Sequence, residues 1–329
     1  MEIITDAFVG GQGFGSVAEK LLANNCDPNA LRNNTVLLTD EWKVFDRAVL
    51  KAQESRLNAV ADLMTRGLVM PTGTGLAQTV FESQKSSDMA DAEVSMDGET
   101  RGRNDRITFG IDNLPLPIIH KDFDLSVRTL NMSRRYGQPL DVSQAEIAGR
   151  KNAETQEEML MNGYAYQFNA STIYGYTNHP SRNLYDITDW NGSAFTPEIG
   201  LTQILGMKQM ALDDDHLGPF VLYLPTDYET VIGEDYKSAS DKAFRTRLLE
   251  IDQLVEIKVS SKLADNNIVL VEMQSETARM IEAQPLVTVQ WETQGGMKTN
   301  FKVLAINIPQ VRANKDGKMG LVHGGIGIA

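Results

Sequence analysis

The residues of this 329-residue chain that have the types and spacing for chemistry lie in a few places. Asp213, Asp214, Asp215 and His216 stand in a row, a donor set suited to a hard divalent cation such as Mg²⁺ or Ca²⁺. Three consecutive side chains on a regular element point in different directions, so the run reads as a solvated helix end. In His120-Lys121-Asp122, strand alternation would put His120 and Asp122 on one face, with no third member of a proton-transfer set in view. His179, in an Asn-His-Pro turn, is expected to bond local backbone. The single cysteine, Cys26, can form neither an internal disulfide nor a cysteine-based zinc site, and reads as an incidental or structural thiol. The glycine-rich run at 10–15 lacks the preceding strand and the spacing of a dinucleotide loop. Nucleophile-elbow, P-loop, H-E-x-x-H and EF-hand spacings do not occur. The expectation is a chain that is not an enzyme, with no catalytic, cofactor-binding or metal-binding residue.

Composition agrees with a folded chain. Hydrophobic residues make up 42% and charged residues 23%, which excludes a disordered or collagen-like protein. The length fits two domains of about 150 residues or one with insertions. The balance of 31 Lys+Arg against 44 Asp+Glu gives a net charge of −13. A protein built to grip nucleic acid needs a basic footprint, so that role is excluded as the main one. No apolar run is long enough for a membrane span, and the acidic start at Glu2 and Asp6 is unlike a signal peptide.

The elements that must position these residues can be read in turn. Residues 1–38 are rich in glycine, asparagine and turn formers and read as an extended arm. Trp42, Phe45, Val49, Leu57, Val60 and Leu63 recur at helical steps, which predicts one helix over Asp40–Arg66 closed by Gly67. Strands are expected at Ile107–Ile111 and Ile118–Val127, separated by the prolines at 115 and 117. A capping box of Ser143 and Glu146 opens a helix over Asp141–Asn162, a bar of about 30 Å. Pro197 opens another helix, and Phe220–Leu224 reads as a buried strand. Helices are expected at Thr226–Gly233 and Ser238–Leu249. Strands follow at Leu254–Val259, Asn267–Met273, Leu286–Trp291 and Asn300–Ile308, with Gly295-Gly296 at a hairpin. The fold class is α+β.

One stretch stands apart. Residues 82–99 hold six acids and one lysine, Lys85, and residues 101–106 then hold three arginines and one acid. A polar segment this long inside a domain usually has a function. Its two halves carry opposite charge, so it can pair with itself or with other copies.

Several stretches together resemble a known family. They are Leu116–Phe123, Gly137–Asp141 running on through Gln144–Ala148 to Gly163, Gly175–Pro180, and Trp291 through Asn300–Ile306 to Gly320. The chain resembles the major capsid protein of a tailed bacteriophage, with the HK97-type fold in its encapsulin-like branch. The resemblance implies an N-terminal arm at 1–38, an N-terminal helix region at 39–77 and an E-loop hairpin at 78–112. It implies a P domain with a spine helix at 113–163, an axial A domain at 164–250, and a return to the P-domain sheet at 251–329.

The function implied is a coat protein that assembles into an icosahedral head around double-stranded DNA, made in the host cytoplasm and residing in the virion capsid. The partners implied are other copies in pentamers and hexamers, a separate scaffolding protein, a portal and decoration proteins. The DNA is enclosed without sequence-specific binding, and no membrane and no cofactor are involved. The acids Asp88, Asp91, Glu93, Asp97 and Glu99 and the arginines Arg101, Arg103 and Arg106 are the expected inter-subunit contacts. Cross-linking of Lys85 to Asn300, Asn307 or Asn314 of a neighbour is not expected. The charge of −13 suggests that DNA is held by closure of the container and not by affinity. Two other readings stay open: an encapsulin-type nanocompartment shell, and a metal-dependent enzyme using residues 213–216.

Overall fold

A computed structural model of the chain describes residues 39–54, 58–87, 106–136, 142–168, 171–236 and 242–328, with Met89, Asp91, Ala92, Val94 and Met96. The arm at 1–38, Cys26 within it, and the Gly137–Asp141 motif lie outside the described residues. Helix α1 spans Thr39–Glu54 and α2 spans Ala59–Thr65, where the periodicity predicted a single helix. The reason for a second start is at Ala59, where the first backbone amides turn to a side chain distant in sequence, Glu157. Gly67, at φ +71, closes α2 with paired bonds from its own amide to Met64 and from Leu68 to Leu63, as the spacing predicts.

Strand β1 (Val69–Pro71) is short. Strands β2 (Val80–Ser86) and β3 (Phe109–Pro115) pair antiparallel from Val80↔Pro115 to Ser86↔Phe109. β3 therefore starts two residues later than the predicted Ile107 and ends four residues beyond the predicted Ile111. Pro115 is tolerated because it is the last rung of a two-stranded sheet. β4 (Ile119–Ser126) stops where Ser126 Oγ accepts the Arg128 amide at 3.3 Å and caps α3 (Val127–Tyr136), a helix the sequence reading missed. The long helix α4 covers Ser143–Asn162 and ends at Gly163, φ +70. The short strands β5 (Tyr164–Phe168), β6 (Ser171–Ile173) and β7 (Asn183–Asp186) follow.

Helix α5 (Pro197–Asp213) has its proline at the first turn, as predicted. After β8 (Phe220–Leu224) come a 3-10 turn at Thr226–Tyr228, α6 (Glu229–Ile232) and α7 (Phe244–Leu249). The last strands are β9 (Leu254–Val259), β10 (Asn267–Glu272), β11 (Ala278–Thr293), β12 (Lys298–Val311) and β13 (Leu321–Gly325). β11 and β12 are longer than predicted: β11 begins at Ala278 and runs through the charged residues Arg279 and Glu282, and β12 runs on to Val311 through buried residues. Gly295 and Gly296, both at positive φ, make the turn between them.

The chain forms two compact units, with β11, β12 and α4 contributing residues to each. In the first (α1, 120–152 and 286–304), Phe123 and Phe301 stack at 5.0 Å over a core that includes Val49, Leu130 and Ala148. Gly149 is required there, since a Cβ would lie 2.6 Å from the Val49 carbonyl oxygen.

The second unit is built on a mixed five-stranded sheet in the order β7-β13-β10-β8-β9. Its side chains sort by strand alternation into two cores. Val221, Tyr223, Val269, Val271 and Leu321 face one core, with α2 and the last turns of α4. Phe220, Leu222, Leu224, Ile268, Leu270 and Val322 face the other, against α5 and α7. Both faces of β8 are covered, which is why its sequence is a continuous apolar run. In the second core Trp190 is buried among Phe195, Tyr228 and Phe244 at 5.0–5.7 Å, and its ring nitrogen donates to Gln203 at 3.0 Å.

Candidate functional site

The β2–β3 ribbon is rooted in the second unit by bonds to three segments. Ser83 Oγ accepts from Gln310 Nε2 at 2.8 Å, and Gln310 Oε1 accepts from Arg279 Nε at 2.7 Å. The Arg279 guanidinium lies 5.8 Å from the Phe81 ring centre. Lys85 pairs with Asp112 across the ladder at 3.1 Å. On the outer edge, Arg312 donates to the Gln84 carbonyl at 3.3 Å, the Lys315 amide donates to the Ser86 carbonyl at 3.2 Å, and Lys315 Nζ reaches Thr108 Oγ1 at 2.6 Å.

Along this root the ribbon turns apolar groups outward. Phe109 is 65% exposed and Ile111 73%. They alternate on one face, opposite Ser86 and Gln84. Of the predicted contact residues, Asp91 and Arg106 are exposed, while Asp88, Glu93, Asp97, Glu99, Arg101 and Arg103 lie outside the described residues.

Beside the root is a cleft of about 500 Å³ lined by Lys85, His216, Glu272, Arg312 and Lys318 among others. Asp214, Asp215 and His216 line one wall, and the Asp213–His216 run is a helix end, as the sequence implied. Asp215, at φ +68, sits where a C′ residue belongs; its amide bonds the Leu212 carbonyl and the His216 amide bonds that of Ala211. The carboxylates diverge. Asp213 takes the Gln209 amide nitrogen at 2.8 Å, and Asp215 pairs with Lys318. Asp214 accepts from Asn183 Nδ2 at 2.7 Å and from the Met319 amide at 3.2 Å. His216 Nδ1 bonds Glu272, a buried carboxylate that also accepts from the Gly218 amide at 2.9 Å and Thr277 Oγ1 at 3.0 Å.

The other histidines separate by burial. Burial first, then the Lys85 and Arg182 cations, lowers the pKa of His179 to about 4 against the opposing charge of Asp112. Its Nδ1 accepts the Ser181 amide at 3.2 Å, the local backbone bond predicted for it. Burial and then Arg182 take His323 down to about 4 as well. Its Nδ1 accepts from Arg182 Nε at 3.2 Å, so its Nε2 donates to Asn267 Oδ1 at 2.8 Å. In the first unit His120 and Asp122 do share a face of β4, 3.5 Å apart and half-exposed, and the group that joins them is Lys302, 3.4 Å from Asp122.

Sequence reading missed a buried charge cluster. Glu157 on α4 receives the amides of Asn58, Ala59 and Val60 at 3.3, 2.9 and 3.2 Å. Burial raises its pKa despite those three bonds, and the nearby Asp62 adds to the rise. Asp62 in turn accepts the Tyr223 hydroxyl at 2.8 Å and pairs with Lys258. The signal available was an acid at helical steps from Ala153 and Leu160, on a face those residues mark as buried. The Gly175–Pro180 motif also has a local explanation. The Tyr176 and Thr177 amides take the last carbonyls of α4, from Leu160 and Met161, at 2.9 Å each. Gly175 is obligatory, since a Cβ there would lie 2.2 Å from the Gly163 nitrogen.

This architecture matches shell-forming proteins. A virus-like particle from Pyrococcus furiosus aligns with a TM-score of 0.62 at 16% identity, over 88% of this chain and 99% of that one. The capsid of Myoviridae phage XM1 aligns with a TM-score of 0.57 at 15% identity, over 80% and 90%. The capsid of an empty GTA particle aligns at 0.55 and 12% identity, over 82% and 91%. The fold is thus the HK97-type capsid fold, α+β in class, as expected. By sequence the chain belongs to the family of unknown function DUF6260, which its residues 29–324 match.

Proposed function

We propose that this chain is the major capsid protein of a tailed phage, a coat subunit that assembles into an icosahedral shell around double-stranded DNA. The observation that carries the proposal is likeness of fold over 80–88% of the chain to proteins of capsids and a virus-like particle. Its role is structural and not enzymatic. The divergent carboxylates at 213–215 support this, since they are spent on Gln209, Asn183, the Met319 amide and Lys318. In this reading residues 1–38 are the arm, 78–112 the E-loop, 113–163 the spine-helix part of the P domain and 164–250 the A domain. The partners are other copies of the chain, a scaffolding protein and a portal.

The ribbon makes the contacts between subunits. Asp88, Asp91, Glu93, Asp97 and Glu99 pair with Arg101, Arg103 and Arg106 across subunit boundaries. An exposed pair contributes only about 0–1 kcal/mol, but a closed symmetric lattice repeats it at every boundary. Replacing Arg101, Arg103 and Arg106 with glutamate is expected to leave a soluble, folded subunit that forms no shells. Normal shells from that variant refute the pairing.

A second reading, an encapsulin-type nanocompartment, is supported by the match to 99% of the Pyrococcus particle chain. Electron microscopy of the purified protein decides. Shells with DNA support the capsid, shells with protein cargo support the nanocompartment, and free monomers or dimers overturn both.

A further inference from the structure

The cleft beside the ribbon root holds a chain of contacts with a titratable group at one end. His216 bonds Glu272, whose side chain is only 3% exposed. Two residues back on the same loop, Asp214 takes the Met319 amide, and between them Asp215 pairs with Lys318. Lys318 belongs to a tight turn in which its amide bonds Asn314 Oδ1 at 2.9 Å and its carbonyl accepts the Asn314 amide at 3.1 Å. That turn carries Lys315, whose amide and ammonium hold Ser86 and Thr108, the outermost rungs of the ribbon root. The loop at 214–218 is thereby joined to the ribbon through the turn at 314–318.

We propose that these two segments form a proton-gated latch: protonated His216 clamps the loop to Glu272 and steadies the ribbon root, and neutral His216, a weaker donor, loosens both. The latch is a property of the single subunit and does not depend on whether the chain assembles.

The charges around His216 set the direction. Glu272 faces it from β10, Glu276 from the turn that follows, and Asp214 and Asp215 from its own loop. Lys318 stands on the adjoining turn, and Lys85 and Arg312 line the far wall of the cleft. The bond to Glu272 raises the His216 pKa above its ordinary 6.5, outweighing burial. Burial alone would raise Glu272, but the bonds from His216, Gly218 and Thr277 bring it below 4.5. A histidine raised on folding stabilises below 6.5 and loses that contribution as pH rises through its folded value. A carboxylate lowered on folding stabilises above 4.5 and loses it as pH falls through its folded value. The latch is therefore closed between the two and opens on the alkaline side when His216 gives up its proton. Glu272, still ionised and buried, is then left with neutral donors alone: Gly218, Thr277 and the neutral imidazole.

Hydrogen exchange of the full-length protein tests this at the amides of Gly218, Met319 and Lys315. After correction for intrinsic rates, protection is expected to fall about tenfold between about pH 6 and pH 9, the difference between a charged and a neutral donor to a buried carboxylate. In His216→Asn, which keeps a donor near the Nδ1 position and does not titrate, protection is expected to stay level over that range. Level protection in the unaltered chain, or the same fall in H216N, overturns the proposal. An NMR titration of the His216 imidazole in the unaltered chain provides a check that needs no variant. A midpoint above 6.5 supports the latch, and one at or below 6.5 overturns it.

Discussion

Two regions of the second unit invert the usual placement of charge and apolar surface, in opposite senses. Around Glu157 the interior holds two carboxylates, and each is fully occupied by protein donors. On the outer face of the ribbon, Phe109 and Ile111 stand in solvent. A buried charge survives only when the fold itself supplies its partners, so the first region serves the subunit. An exposed apolar pair on a ladder rooted by Gln310, Arg312 and Lys315 gains nothing for the subunit, and so points to a surface outside it. The two regions can be separated by what their loss does to stability and what it does to assembly.

The largest effect is expected at Glu157. Glu157→Ala strands the amides of Ala59 and Val60 inside the protein and is expected to cost about 3–5 kcal/mol in denaturant unfolding of the subunit. Glu157→Gln keeps one of the two accepting oxygens and turns its NH2 toward an amide, so it is expected to cost less than the alanine change, about 1–3 kcal/mol. It also changes the pH profile. The Glu157 pKa is raised by burial, so its contribution is complete below 4.5 and is lost as pH rises through its folded value. That downward step with rising pH is expected to vanish in E157Q. A Glu157→Ala subunit as stable as the parent would remove the distinction between the two regions.

How much of this was legible beforehand follows from what each residue's neighbours are. The regular spacing in α4, the proline opening α5 and the apolar run of β8 are local signals, and the structure places all three elements as read. The missed helix α3 depends on Ser126 turning its hydroxyl back to an amide, inside what reads as a continuing strand. The missed strand β13 contains His323, Gly324 and Gly325. Gly324 is explained by neighbours far away in sequence, Ile187 and Met207, 3.1 and 3.2 Å from where its Cβ would lie. The helix predicted from Asp40 to Arg66 continued a correct period past a point where a distant carboxylate starts a new helix. Glu157, which accepts the amides of Ala59 and Val60 inside the protein, looks like any surface acid until α2 is in place. Among the candidate sites, the divergence of Asp213–Asp215 was readable from spacing alone, whereas the bond of His216 to Glu272, 56 residues on, was not.

The ribbon is expected to show the reverse balance. Phe109→Ser with Ile111→Ser removes side chains that are mostly in solvent, so the subunit's unfolding free energy is expected to shift by no more than about 0.5 kcal/mol. Under the shell reading a neighbouring subunit covers these groups, and sedimentation of the double variant is expected to show subunits where the parent shows shells. Loss of subunit stability by several kcal/mol would mean that the ribbon face belongs to the core of its own chain. Unchanged assembly would mean that nothing covers it.

The smallest effect is expected where charge is neither buried nor placed for a neighbour. Asp122 lies between His120 at 3.5 Å and Lys302 at 3.4 Å, with about half its side chain in water. Its partners His120 and Lys302 are themselves partly in solvent, so no fully desolvated group is left behind. Asp122→Asn is expected to change unfolding free energy by less than about 0.5 kcal/mol and to shrink further in salt, as for other exposed pairs. Glu157 and Asp122 each have more than one partner, so partner count does not separate them. Only burial does, through the energy of the donors that remain when the carboxylate goes. A cost for Asp122→Asn equal to that for Glu157→Ala would show that burial is not the controlling variable.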